Sequence, residues 1–91
     1  MSAARAASGV SAATVLRYPS YLRWARRFLG DLAMRRMQWE PAAAEYAAVV
    51  AIPDAIPADW HKLAVARVRM GKWQDAADAW RRAEQLDPGA G

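Results

Sequence analysis

Apolar residues recur at steps of three and four along this chain, and no stretch alternates in the manner of a strand. After Tyr18-Pro19, Ser20 is placed to cap a helix. The stripe Leu22, Ala25, Leu29, Leu32 and Ala33 predicts that helix to run to about Arg36, with the stripe facing a core. A second helix starts near Glu40-Pro41 and carries Ala42, Ala43, Tyr46, Val49 and Val50. Pro53 and Pro57 bracket a short loop. The third helix covers about Ala58 to Met70, with Trp60, Leu63, Ala64 and Val68 on its buried side. Gly71 then stands where a left-handed helix-ending residue is wanted. The fourth covers about Trp73 to Leu86, with Trp73, Ala76, Ala77, Trp80 and Ala83 at helical spacing, and Asp87-Pro88-Gly89 ends it. The pattern predicts an all-α fold.

Composition narrows the chemistry. Ninety-one residues allow one small domain with a modest core, and the abundance of alanine leaves the five tryptophans to supply much of its volume. With no cysteine and only His61, disulfides, thiolate catalysis and multi-histidine or cysteine metal sites are excluded; neither metal nor other cofactor is expected. No apolar run reaches the ~18 residues of a membrane-spanning helix.

Charge is unevenly placed. Residues 1–37 hold seven arginines against the single acid Asp31, whereas the remainder is mildly acidic. Residues up to about Thr14 lack an apolar stripe and are expected to form a tail, unless Val10, Val15, Leu16 and Tyr18 make a short helix on the first unit. Arg5 ahead of the uncharged run Ala6–Leu16 mimics a signal peptide, and the acid-free start mimics an organelle presequence. The run is too rich in Ser, Gly and Ala for a strong apolar region, and an Ala/Arg-rich composition arises easily from a GC-rich genome, so a tail and a cytoplasmic location are expected. The expected division is thus an extension over 1–19 and a helical domain over 20–88.

Shifting the chain by 34 residues brings out an internal repeat. Trp39 falls on Trp73, Ala42 on Ala76, Ala43 on Ala77 and Tyr46 on Trp80. Leu29 falls on Leu63, Gly30 on Ala64, Arg35 on Arg69 and Ile52 on Leu86. Small residues recur where paired helices approach closely, and aromatic residues recur where the next layer is filled.

The second unit, Pro57 to Ala90, reads W-x2-L-A, then G-x-W-x2-A-x3-W-x2-A and a closing proline, from Trp60 to Pro88. In this it resembles the tetratricopeptide repeat. The first unit, about Arg23 to Ile56, is degenerate: Arg26 replaces the early tryptophan, Met37 stands at the position of Gly71, and Pro53 comes one place early. Arg67 departs from the bulky apolar residue usual in the family. The resemblance implies two antiparallel helical hairpins of a short α-solenoid. Two units are few for such an array, so the last helix, through Trp80, Ala83 or Leu86, is expected to dock on another copy, a partner or a further domain.

The resemblance also implies a peptide-binding groove along the first helix of each hairpin. By position it would comprise Trp24, Arg27, Asp31, Met34 and Arg35 from unit one, with His61, Val65, Val68 and Arg69 from unit two. Arg27, Arg35 and Arg69 suit acidic side chains or a carboxylate. The Lys/Asn pattern of the family's carboxylate-clamp members is absent. His61 lacks a serine or carboxylate partner at catalytic spacing and is read as structural or solvent-facing. Four tryptophans are read as packing residues; Trp24, off the apolar stripe, is a candidate exposed anchor.

A basic patch of Arg17, Arg23, Arg26, Arg27 and Arg36 is interleaved with Tyr18, Tyr21, Trp24 and Phe28. It suits an acidic protein partner better than nucleic acid or an anionic membrane, since no nucleic-acid motif accompanies it. The function expected is therefore a non-enzymatic protein-interaction module, scaffold or accessory subunit, capable of self-association. The alternatives are a nucleic-acid or anionic-surface binder, and the N-terminal piece of a larger enzyme, since such repeats often precede transferase domains in bacterial proteins.

Overall fold

A computed structural model of the chain describes residues 17–88. The tail and short helix expected before Arg17, and the terminal Gly89–Gly91, lie outside the described residues. Those described form four helices and no strand: α1 (Pro19–Arg35), α2 (Trp39–Val50), α3 (Pro57–Arg69) and α4 (Trp73–Leu86). Each packs chiefly on its neighbours in sequence, giving hairpins α1–α2 and α3–α4 joined across α2–α3.

Helix starts follow proline more than side-chain caps. Pro19 and Pro57 open α1 and α3, where a missing N–H leaves no bond unmade and the fixed φ is already helical. Ser20 is therefore inside α1 and is not its cap; Tyr18 holds that position. The second helix begins at Trp39, one residue before the expected Glu40, and Pro41 falls within its first turn, where its lack of an N–H is again harmless.

Both hairpins turn in the same way. In the first, the Gln38 amide donates to the Ala33 carbonyl and that of Met37 to Met34. In the second, Lys72 donates to Arg67 and Gly71 to Val68. Each is a helix-ending motif whose central residue lies in the left-handed region. Gly71 (φ 77°) adopts that conformation freely, but Met37 (φ 56°) does so against the contact of its Cβ with the backbone. The 34-residue period thus persists in the backbone where the sequence has lost its glycine.

The core is made of small residues. Ala33, Ala42, Ala43, Tyr46, Leu63, Ala64, Ala66, Ala76 and Ala79 form one buried cluster. The expectation that tryptophans fill it is corrected: Trp73 is 67% exposed, Trp80 is also exposed, and Trp39 and Trp60 are half-buried. Alanine faces let helix backbones approach closely, which leaves no interior room for indoles and sends them to the rims. The stripe expected to face the core from α1 is corrected at Leu29, while Ala33 is buried and Leu22, Ala25 and Leu32 are half-buried. Leu29 is 43% exposed, and the buried residues of α1 are Gly30 and Ala33. Val68 and Trp60 on α3 are half-buried, while Asp59 and Ala66 are buried instead.

Gly30 marks the closest approach in the first hairpin. A Cβ there would lie 2.5 Å from Cε1 of Tyr46, so the ring rests directly on the α1 backbone.

Candidate functional site

The first helices of the two hairpins, α1 and α3, are tied side by side by two ion pairs. Arg27 grips Asp59 through two bonds, Nε to Oδ1 at 2.6 Å and a second guanidinium nitrogen to Oδ2 at 2.9 Å. The Asp59 carboxylate is fully buried, so this bidentate pair is what makes its burial tolerable. Its hydrogen bond, more than its charge, raises the Arg27 pKa above the ordinary value against the opposing effect of burial.

One turn further along, Lys62 Nζ donates to both oxygens of Asp31 at 2.8 and 2.9 Å, and the Tyr46 hydroxyl donates to Asp31 at 2.6 Å. Burial alone would push the Asp31 carboxyl up. Hydrogen bonds from Lys62 and Tyr46, with the charges of Lys62 and Arg27, hold it below the usual carboxylate range. Burial and then donation to Asp31 push the Tyr46 phenol well above its ordinary value, while the Arg35 charge acts the other way.

These contacts floor a cleft of about 390 Å³ lined by Asp31, Met34 and Arg35 of α1, Tyr46 of α2, and His61, Lys62 and Val65 of α3. Of the residues expected in the groove, it brings together Asp31, Met34, Arg35, His61 and Val65. Trp24 stands exposed on α1, stacked on Phe28 with ring centroids 6.1 Å apart. Val68 packs against the core and Arg69 lies over the Trp39 ring; neither lines the cleft. Arg27 is corrected from ligand-facing to structural, because Asp59 occupies its guanidinium. His61, which lines the cleft, accepts a hydrogen bond at Nδ1 from the indole of Trp80 at 3.2 Å.

Sequence reading missed Lys62 and Asp59. Their signal was present: Arg27 and Asp59 are 32 residues apart and Asp31 and Lys62 are 31 apart. Opposite charges separated by nearly one repeat length mark side chains that meet across neighbouring repeats.

The expected basic patch is not assembled as one exposed cluster. Arg23 donates to the Pro53 carbonyl, Arg26 pairs with Glu45 at 3.0 Å and Arg27 pairs with Asp59. Three of its five arginines are thus engaged within the protein, whereas Arg17 and Arg36 are exposed at opposite ends of α1. Among the described residues there is no group of three His, Cys, Asp or Glu side chains that could hold a metal ion. No helix there is long and apolar enough to cross a membrane.

No curated protein and no solved structure matches the chain significantly. A family model does, over residues 57–90, and its description is the tetratricopeptide repeat. Such repeats are typically non-catalytic and support a protein–protein interaction module in general terms. Residues 57–90 thus match the tetratricopeptide repeat, and the four helices α1 to α4 fit repeats of that kind.

Proposed function

We propose that the chain is a non-catalytic interaction module that holds an extended, acidic segment of a partner protein in the cleft between α1 and α3. The observation that carries this reading is the make-up of the cleft. Arg35 and His61 flank an apolar strip of Met34 and Val65, while the acid there, Asp31, is already paired with Lys62 and hydrogen-bonded by Tyr46. A carboxylate entering the cleft meets the Arg35 guanidinium, and adjacent apolar side chains rest on Met34 and Val65. Cross-linking of α1 to α3 by two ion pairs fixes the cleft before a ligand arrives, so little ordering entropy is lost on docking.

The test is fluorescence anisotropy of the full chain against a labelled set of extended peptides, acidic, neutral and basic, at two salt concentrations. Preferential binding of the acidic peptides, weakened at least tenfold by Arg35→Glu and by Val65→Glu, supports the reading. Equal binding of all three sets, or binding indifferent to both substitutions, refutes it.

A further inference from the structure

We infer that the two ends of this molecule are halves of one interface, and that copies of the chain stack end to end, α4 of one on α1 of the next. This interface is separate from the cleft reading except at Arg35 and Val65, which border both.

The joint between the two repeats shows what such an end requires. Across α2–α3, Leu63 is 1% exposed and shares a cleft with Ala43 and Ala47; Arg69 lies 5.3 Å over the Trp39 ring; and Lys62 lies 6.0 Å over the Tyr46 ring. A copy added with the same 34-residue step would place residue x + 34 of one chain against residue y − 34 of the next. Leu63 then becomes Leu29, and Ala43 becomes Ala77. The pair Arg69 and Trp39 becomes Arg35 and Trp73, a guanidinium and an indole again. These counterparts are the residues left uncovered: Leu29, Arg35 and Trp73 are all exposed.

One ion pair of the joint changes type on both sides together, although the other, Arg27 and Asp59, maps onto His61 and Ala25. Asp31 and Lys62 form an ion pair between α1 and α3; their counterparts are Val65 and Phe28, both apolar and both exposed. Phe28 would likewise meet Trp80, the counterpart of Tyr46, as an aromatic pair. The exchange of an ion pair for two exposed apolar residues fits a contact between copies better than contact with solvent. The outward aromatic face of α1, with its arginines 23, 26 and 27 engaged on other sides, acquires a partner in the same step. Because the contact joins two different faces, it is heterologous, and stacking is open-ended unless the rotation closes a ring.

Sedimentation velocity on the 91-residue chain, from about 10 μM to about 1 mM, tests this. Wild type is expected to grow from monomer to dimer and longer species as concentration rises. Leu29→Glu spoils only the α1 end and Trp73→Glu only the α4 end. Each alone should lose association by at least tenfold while keeping its helical circular dichroism. Mixed one to one, they should restore a dimer and nothing longer, because one intact end survives on each chain. Should Leu29→Glu fail to fold, Phe28→Glu at the same end takes its place. A wild type that stays monomeric, a single variant that associates as wild type does, or a mixture that stays monomeric overturns the inference. Neither Leu29 nor Trp73 lines the cleft, so peptide binding by the two variants reports on the other reading separately.

Discussion

Replacing Gly30 with alanine reverses the usual sign of that substitution. In an exposed helix interior, Gly→Ala gains about 1 kcal/mol from backbone entropy and propensity. Here the new Cβ would sit 2.5, 2.8 and 3.0 Å from Cε1, Cδ1 and Cζ of Tyr46, about 1 Å inside ordinary carbon contact. The ring has nowhere to retreat, since it is 2% exposed and its hydroxyl is anchored on Asp31. Overpacking of this kind costs about 1–3 kcal/mol, and weakening of the hydroxyl's hydrogen bond to Asp31 costs about 1 kcal/mol more. Set against the propensity gain, the net is a destabilisation of about 2 kcal/mol. With a urea slope of about 1–2 kcal/mol/M, the unfolding midpoint should fall by roughly 1–2 M. In a Tyr46→Leu background, which lacks the ring edge and hydroxyl, the same substitution should become neutral or stabilising. If Gly30→Ala stabilises the protein that still carries Tyr46, the close approach of α1 and α2 described above is wrong.

Met37→Gly should stabilise by about 1 kcal/mol in a thermal or urea melt, by releasing a left-handed non-glycine residue at the turn where the second hairpin has Gly71. Arg27→Met should destabilise by about 3–5 kcal/mol because it strands a buried carboxylate, and Asp59→Asn in the same chain should recover much of that loss in a double-mutant cycle. Asp31, whose folded pKa lies below its ordinary 3.8, contributes stability that is fully present above that value and is lost as pH falls through the folded pKa. Thermal melts across acidic pH should therefore show wild type and Asp31→Asn converging as the carboxylate protonates; a constant gap would count against the assignment.

The sequence carried the fold well because helical hairpins are local. Their apolar period, their prolines and the left-handed position at Gly71 lie within a few residues of the bonds they determine, and the 34-residue self-match aligned Met37 with that same turn. Burial was less legible. Leu29 and Leu63 are the same residue at the same repeat position, yet one is exposed and the other buried, because among the described residues only the second has a helix packed before it. Trp73 and Trp80 on α4 are likewise exposed although their counterparts Trp39 and Tyr46 are half-buried and buried. Periodicity assigns a face to a helix but not a neighbour to that face.

The candidate cleft divides in the same way. Asp31, Met34, Arg35, His61 and Val65 could be placed from repeat position alone, since equivalent helices present equivalent faces. That Arg27 is occupied by Asp59, that Asp31 is paired with Lys62 and hydrogen-bonded by Tyr46, and that three arginines of the basic segment are engaged internally depended on which side chains meet across 19 to 32 residues of chain. The amino-acid sequence by itself determined the helices, their pairing and their repeat, because hydrogen bonding, capping and period act over short separations. Tertiary structure alone decided which charges are free, which rings are covered and which faces stand open, because desolvation and pairing are properties of neighbours distant in sequence.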